Sequence, residues 1–415
     1  MKVGIIGLGY VGLPLAVAFC EAGHQVVGVD TDSRMVDALR GSRSHIEDVP
    51  DERLAGIADS FHPTTRYAEL ATVDAVVIAV PTPLTRNREP DLGPLSAAGT
   101  ALAGVIQAGQ LVVLESTTYP GTTRERLVPM LEESGLAAGR DFFVAFSPER
   151  IDPGRTDFIL RTTPKVIGGL TPECLRRATE LYDSVCDEIV TVSTPESAEL
   201  TKLLENVFRS VNIALVNELA ILCDRMEIDI WEVVDAAATK PYGFMSFKPG
   251  PGMGGHCLPV DPFYLAWRAR EFDAQTEFIE LAGEVNQRMP YFCVEKIGRA
   301  LNDHTKPIKG SRVAIVGVSY KPGVGDLRES PALRIMRLLR EQGAQVAYHD
   351  DFVPELPDFG LKGETLEGAL DGADCVVIVT AHPGLDLERI VRDAPLVVDF
   401  RGVTRGIEAS NLVRL

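Results

Sequence analysis

Short apolar runs, each bounded by glycine or polar residues, recur along the first 190 or so positions: Lys2–Ile6, Gln25–Val29, Ala75–Val80, Leu111–Leu114 and Phe142–Phe146. Segments of helical periodicity separate them. That alternation predicts a parallel, doubly wound sheet. From Pro195 to Pro241 the pattern changes, with no glycine or proline in between. One long helix is expected to start near Pro195 and to break near Ile228–Asp229. Leu215, Val216, Leu219, Ile221 and Leu222 make its later part apolar on several faces, which predicts burial in the centre of the molecule or in a dimer. Helical patterns return from Asp261 to about Leu301, and a polar linker spans Asn302–Gly310. A second β/α alternation then begins at Arg312-Val-Ala-Ile-Val-Gly317 and continues through Gln345–Tyr348, Cys375–Val379 and Leu396–Val398.

Length and charge narrow the picture. A chain of 415 residues should hold two or three domains, on a prior of about 100–200 residues each. The net charge of -18 argues against nucleic acid or an acidic membrane surface as partner, because polyanions are repelled. The chain enters a strand almost at Met1, so no signal peptide is expected. No apolar run is read as approaching the roughly 18 residues of a membrane span. Seven scattered cysteines without a Cys-x-x-Cys pair predict neither a disulfide framework nor a metal site. A cytoplasmic protein with reduced thiols is expected.

Gly7-Leu-Gly9-Tyr10-Val11-Gly12 follows the first strand directly and opens a helix. In that context the first glycine makes a tight turn, the second lets a pyrophosphate approach the backbone, and the third lets helix and strand pack closely. The helix N-terminus adds N–H groups and partial positive charge. Asp30 ends the second strand, where its carboxylate can accept both ribose hydroxyls and would repel a 2′-phosphate, so NAD is expected over NADP. Arg34 could lie against the adenine or in solvent. The second unit reads Gly317-Val-Ser-Tyr-Lys-Pro-Gly and lacks the third glycine. It is not expected to hold a second dinucleotide, although Lys321 and Arg328 could meet phosphates there. The fold class is therefore α/β: two Rossmann-like, doubly wound parallel-sheet domains joined by a long central helix and a helical middle domain. The boundaries are drawn at 1–194, 195–301 and 302–415.

The strongest chemical candidate is Cys257, in Pro249-Gly-Pro-Gly-Met-Gly-Gly-His-Cys-Leu-Pro-Val-Asp261. A lone cysteine is more often an inert core thiol, but four glycines let this stretch approach a ligand. A thiol beside a nicotinamide can hold an aldehyde covalently while a second hydride leaves, carrying an alcohol through to an acid. On the long helix Glu199, Lys202, Asn206 and Arg209 share one face. That stripe reads either as a solvated face or, through Lys202 and Asn206, as a stabiliser of an alkoxide or oxyanion. Thr117 and Glu149 follow the fourth and fifth predicted strands, at the carboxyl edge where a nicotinamide would lie. Turn chemistry alone could also account for them.

At these residues the chain resembles the UDP-glucose/GDP-mannose dehydrogenase family, the nucleotide-sugar 6-dehydrogenases. The resemblance runs through Pro81-Thr-Pro83, Glu115-Ser-Thr117, Ser147-Pro-Glu149, Glu199…Lys202…Asn206 and Gly254-Gly-His-Cys257-x-x-x-Asp261. It continues to Tyr320-Lys321, Arg328-Glu-Ser-Pro331 and Asp399-Phe-Arg401. It implies a four-electron oxidation of a sugar C6 alcohol to the carboxylate with two NAD. Lys202, Asn206 and a water near Asp261 and Thr117 would handle the first proton and the alkoxide. Cys257 would form the thiohemiacetal and thioester, and Glu149 would be the hydrolytic base. Implied cofactor contacts are Gly7, Gly9, Tyr10, Val11, Gly12, Asp30, Arg34, Pro81, Thr82, Thr117 and Arg328. Implied substrate contacts are Glu149, Arg150, Ile151, Lys202, Asn206, Phe244, Phe247, Lys248, Gly254, Lys321 and Arg401. In this reading residues 1–194 bind NAD, 195–301 carry the cysteine loop and 302–415 bind a UDP-sugar.

Two features bear on the sugar. Many UDP-glucose enzymes carry Glu-Gly where this chain has Pro153-Gly154, and the Ser147-Pro-Glu-Arg and Gly-Gly-His-Cys-Leu-Pro-Val-Asp forms also resemble the branch acting on UDP-N-acetylhexosamines. UDP-glucose is taken first as the commonest substrate, UDP-N-acetylglucosamine or UDP-N-acetylmannosamine second, and GDP-mannose after them. A two-electron hydroxyacid dehydrogenase and a non-catalytic NAD-binding sensor are the remaining readings. The family also implies a homodimer through the long helices.

Overall fold

The computed structural model describes residues 1–85, 89–151, 159–255, 258 and 260–415. By contact density they separate into two units. The first is Met1–Glu205 with Phe263–Gln275, and the second is Asn206–Pro262 with Thr276–Leu415.

The first unit is built on one sheet. Its strands are β1 (Lys2–Ile6), β2 (Gln25–Val29), β3 (Phe61–Thr64), β4 (Ala75–Ile78), β5 (Leu111–Leu114), β6 (Phe143–Phe146), β7 (Lys165–Gly169) and β8 (Ile189–Val192). Their order is β3-β2-β1-β4-β5-β6-β7-β8. Successive residues point to opposite faces: Val3, Ile5, Val77 and Val113 enter one core, and Ile6, Val76, Ile78 and Val112 enter the other. A sheet covered on both faces needs unbroken apolar strands, which is why five of these runs stand out in the sequence.

Three strands do not. β3 contains Pro63, which an edge strand tolerates because one side of its ladder stays unpaired. β7 and β8 lie beyond β6, and β7 runs antiparallel to it while β8 is parallel to β7. The parallel sheet expected from the sequence is present, with one antiparallel join between β6 and β7. The register pairs Ala145 with Gly169 and Phe146 with Gly168. The first residues of β7 therefore overhang the carboxyl end of β6, and Lys165 starts its strand at that edge.

The second unit repeats the layout. Strands β9 (Arg312–Val316), β10 (Gln345–His349), β13 (Cys375–Ile378), β14 (Val397–Asp399) and β15 (Leu412–Arg414) form a parallel sheet in the order β10-β9-β13-β14-β15. The short hairpin β11 (Glu355–Leu356) and β12 (Leu361–Lys362) stands apart from it. Met289, Cys293 and Ile297 of the helix Glu277–Asp303 pack with Val313, Ile315 and Val377, while Ala314, Val316 and Val376 enter a core on the other face.

The long helix is Pro195–Met226, 32 residues. It stops at Glu227, whose φ of 56° takes the chain out of the right-handed region. The next helix, Ile230–Ala238, is capped by Asp229, which accepts from Trp231 N at 2.8 Å. The faces of the long helix are inverted. Glu199, Lys202, Asn206, Ser210 and Asn217 are buried, whereas Leu200, Leu204, Phe208, Leu215, Leu219 and Leu222 are exposed, Leu215 by 54%. One expectation is narrowed here and a second corrected. Val216 is buried, but Leu215, Leu219 and Leu222 are exposed on the single chain, which removes burial at its centre and leaves burial in a dimer as the remaining reading. By length and composition this helix also meets the requirement for a membrane span, contrary to the reading of the sequence. A core helix of a water-soluble fold meets the same requirement, and five buried polar residues on one face suit that role.

Trp231 anchors the second unit. It is 2% exposed, lies against Gly402, where a Cβ would stand 2.5 Å from the indole, and has the Arg405 guanidinium 5.6 Å from its ring. Its Nε1–H has no hydrogen-bond partner among the described residues. Trp231→Ala should lower the unfolding free energy by ~3–5 kcal/mol. Trp231→Phe should cost less than half of that, because no hydrogen bond is lost. Urea denaturation of the two variants measures both, and equal losses would contradict the packing account.

Candidate functional site

The turn after β1 is shaped by its glycines. Gly7 has φ of 92°, and a Cβ on Gly12 would come within 1.8 Å of the Gly7 carbonyl oxygen. A Cβ on Gly9 would meet nothing within 4 Å, so that backbone faces open space. The helix Gly12–Glu21 starts there. Asp30 is half-buried; its Oδ2 accepts from Leu8 N at 2.9 Å and its Oδ1 from Asp32 N at 3.0 Å. Each oxygen keeps acceptor capacity for a ribose hydroxyl. An open glycine, a helix N-terminus and a fixed acid fit a dinucleotide. Tyr10 is partly exposed beside the turn, and Val11 is the helix N-cap. Arg34 has a side chain 92% exposed and lies 3.4 Å from Asp32, a surface arrangement.

Further along the carboxyl edge, Thr82 is buried and donates its hydroxyl to the Thr117 carbonyl at 2.7 Å. Pro81 is exposed and Thr117 half-buried. The Tyr264 hydroxyl lies 2.6 Å from the Thr82 carbonyl and 3.0 Å from that of Pro83, fixing this turn. Glu149 Oε1 accepts from Arg150 N at 2.7 Å and Ile151 N at 2.5 Å. Arg150 pairs with Glu205 at 2.7 Å. Beside Glu149 stand Lys165, 3.7 Å from its Oε2, and Glu115, 3.0 Å from the same lysine. On the long helix Glu199 is wholly buried and accepts from Gly121 N at 2.6 Å, Thr123 N at 2.8 Å and the Thr123 hydroxyl at 2.7 Å. The solvated-face reading of the stripe fails at Glu199, Lys202 and Asn206, which are buried, and holds only for Arg209.

In the second unit Asn206 donates its side-chain amide to Asp261 Oδ2, and both residues are buried. The glycine loop is held from two sides. Asn217 Oδ1 accepts from Gly250 N at 2.9 Å, while Asn217 Nδ2 donates to Asn286 Oδ1 at 2.9 Å. Gly255 N donates to the Arg328 carbonyl at 2.9 Å, and a Cβ on Gly254 would stand 2.6 Å from Tyr320 Cβ. Phe247 meets Phe208 edge-on at 5.8 Å, and Phe244 and Lys248 are exposed. The Arg328 side chain is chelated by Asp326, and the Lys321 ammonium lies 5.7 Å from the Tyr320 ring centre. Arg401 donates Nε to the Val379 carbonyl at 2.6 Å, and no carboxylate pairs with it among the described residues. Burial pulls its guanidinium down to about 10, so it stays cationic at neutral pH.

The second sheet repeats the turn-to-acid hydrogen bond of the first: Val318 N donates to Asp350 Oδ2 at 2.7 Å. Here the acid is closed. His382 Nε2 lies 3.0 Å from the same oxygen, and Phe352 stacks on the imidazole at 4.7 Å. Ser319 Oγ approaches that same nitrogen at 3.2 Å. Serine and aspartate therefore share one face of the ring and do not form a relay across it.

Cys257 lies outside the described residues. The six described cysteines are free, and all but Cys223 are buried. Burial pushes the Cys20 and Cys186 thiols up to about 11, which suits core thiols rather than nucleophiles. The sequence reading missed Lys165, Tyr264, Asn217 and Asn286. The two asparagines could have been found as polar residues at apolar-periodic helix positions; Lys165 looks like an ordinary strand start.

Sequence models of the UDP-glucose/GDP-mannose dehydrogenase family match in three consecutive blocks. These are the NAD binding domain over residues 1–186, the central domain over 196–288 and the UDP binding domain over 314–406. The chain is 37% identical over 394 residues to UDP-N-acetyl-D-glucosamine 6-dehydrogenase of Pseudomonas aeruginosa, covering 92% of this chain and 90% of that one. Among solved structures it is similar to UDP-D-ManNAc dehydrogenase from Pyrococcus horikoshii, with a TM-score of 0.92 and 34% identity, covering 100% of this chain and 99% of that one. It is also similar to a UDP-glucose dehydrogenase from Pyrobaculum islandicum, with a TM-score of 0.89 and 31% identity, covering 99% and 96%.

Burial pushes the Glu199 carboxyl up to about 7, against the pull of its Thr123 and Gly121 donors. A carboxyl held above its unfolded value favours the fold when protonated. Its contribution is complete below the ordinary value of 4.5 and is lost as pH rises toward 7. The unfolding free energy of the wild type, measured against Glu199→Gln, should therefore fall across that window by ~3 kcal/mol. The substitution adds a constant offset, so the slope is the readout. A difference flat in pH would refute the assignment.

Proposed function

The chain belongs to the UDP-glucose/GDP-mannose dehydrogenase family, and on that premise we propose that it oxidises the C6 alcohol of a UDP-N-acetylhexosamine to the carboxylate. The observation that carries the redox half is the first turn, where open Gly9 and the two accepting oxygens of Asp30 suit NAD. The names of the relatives carry the sugar half. A UDP-N-acetylglucosamine and a UDP-D-ManNAc dehydrogenase stand among the similar proteins, and they support the N-acetylhexosamine reading over UDP-glucose, which the sequence put first. The UDP-glucose dehydrogenase similarity keeps that sugar as the competitor.

When bound, NAD supplies the hydride acceptor for both oxidation stages. The residues of the chain would do the rest. Lys202 and Asn206 stabilise the alkoxide, with Asp261 orienting the Asn206 amide and a water held toward Thr117. Cys257 adds to the aldehyde carbon and is acylated, and Glu149 takes a proton from the water that hydrolyses the thioester. Arg401, a half-buried cation with no carboxylate partner among the described residues, suits a diphosphate, and Lys321 adds a second positive charge. Phe244, Phe247, Lys248 and Gly254 line the substrate loop, with Arg150 and Ile151 beside the base. In this reading residues 1–194 serve the cofactor, 195–301 the chemistry and 302–415 the UDP-sugar. The enzyme works in the cytoplasm as a homodimer, whose interface is the exposed apolar row of the long helix.

Three outcomes are expected. With UDP-N-acetylglucosamine or UDP-N-acetylmannosamine the enzyme should form two NADH per sugar, at a kcat/KM about tenfold or more above that for UDP-glucose. Cys257→Ser should lose acid formation, and a variant that still makes the acid would exclude covalent catalysis. For assembly, Leu204→Arg with Leu215→Arg should convert dimers to monomers in light scattering after size exclusion. A wild-type protein that is already monomeric would remove the interface.

A further inference from the structure

At the carboxyl edge of the first sheet lies a closed group of charges of which the reaction above uses Glu149 alone. Glu115 follows β5, Glu149 follows β6 and Lys165 opens β7. Their side chains are 0%, 16% and 3% exposed. The antiparallel entry of β7 is what brings the lysine here, since extending the β6–β7 register sets Lys165 opposite Glu149. Its Nζ lies 3.0 Å from Glu115 Oε1 and 3.7 Å from Glu149 Oε2. Tyr182 donates its hydroxyl to Glu115 Oε1, and the ammonium stands 5.0 Å from the Tyr182 ring centre. Glu115 Oε2 has no hydrogen-bond partner among the described residues.

The neighbouring titratable groups leave this balance intact. Cys186 faces the cluster as a thiol that burial pushes up to about 11. Arg161 is committed to Asp187 at 3.2 Å, and Arg150 to Glu205 of the long helix at 2.7 Å. Burial raises Tyr182 well above its ordinary range, so it donates rather than ionises. Burial would lower Lys165, but the two carboxylates outweigh it and keep the ammonium charged. Burial raises Glu115, with Lys165 opposing. One cation thus serves two carboxylates, and Glu149 is the member that solvent reaches most readily.

We propose that Lys165 is a positioning residue for Glu149, steadying its Oε2 through space, and that Glu115 is the counter-charge that keeps this lysine from suppressing the basicity of Glu149. The proposal deepens the reading of Glu149 as hydrolytic base and rests on it. In that step a water oxygen bonds to the thioester carbon and one water proton passes to Glu149. The C–S bond breaks with its electron pair returning to the Cys257 sulfur. Protonation of Glu149 takes the cluster from a net charge of minus one to zero. An uncompensated ammonium at 3.7 Å would oppose that transfer. Two buried carboxylates without a cation would force one to stay protonated.

The test is the pH dependence of kcat in Lys165→Met, Lys165→Arg and Glu115→Gln, each first shown to bind NAD with wild-type affinity. Lys165→Met should move the acidic limb to higher pH by about one pH unit. Glu115→Gln should move it to lower pH, and Lys165→Arg should restore the wild-type position. A uniform loss of rate with the limb in place would make the pair a structural ion pair only and overturn the proposal. Should Lys165→Met fail to fold, Glu115→Gln decides alone, and a stationary limb there is equally fatal. Glu149→Gln separates the two levels. Normal turnover in that variant removes the base assignment itself. Loss of turnover there, with unmoved limbs in the other variants, removes only the role of Lys165.

Discussion

A helix that turns its polar side inward must find a partner for each group it buries, because an unpaired buried donor or acceptor costs roughly 1–3 kcal/mol. The long helix meets that demand with segments of chain that matter to the site. Glu199 takes the backbone of Gly121 and Thr123 in the turn after β5. Asn206 takes Asp261, the first residue of a helix. Asn217 takes Gly250 and Asn286, which together hold the start of the glycine loop. The stripe that carries Lys202 and Asn206, the residues proposed for the alkoxide, also fixes the turn after β5 and the start of the glycine loop.

The two sheets show how one backbone device yields different surfaces. In each, the N–H after the first glycine of the turn donates to an aspartate at the end of the neighbouring strand. Asp30 is left half-buried with acceptor capacity to spare, while Asp350 is closed by His382 and Phe352. A ligand recognised through ribose hydroxyls suits the first arrangement. The second sheet instead carries Arg401, a cation whose only described side-chain bond is to a carbonyl, which suits recognition through phosphate charge.

Much of this was legible from the chain. Consecutive apolar residues announce strands buried on both faces, and β1, β2, β4, β5 and β6 were found that way. Asp30 was readable from its spacing to the glycine turn, and the long helix from the lack of breakers between Pro195 and Pro241. What escaped depends on partners distant in sequence. β3 hides behind Pro63, and the direction of β7 follows from the pairing of Phe146 with Gly168 rather than from its composition. Lys165 looks like a solvated residue before Val166-Ile167, and only the strand reversal encloses it between two acids. Leu204 and Leu215 look like core residues, and only the fold leaves them on the surface. Periodicity says which residues share a face. It does not say which way that face points.

The contact boundary between the two units falls at Glu205 and Asn206, in the middle of a continuous helix. Severing the chain there would expose two sets of unsatisfied backbone groups, up to about four amide hydrogens on one side and four carbonyls on the other. It would also part Lys202 from Asn206, one helical turn apart. The halves are thus not interchangeable cassettes. Recombination that swapped the second unit between relatives would have to cross over outside this helix, carrying the whole rod with one parent or the other.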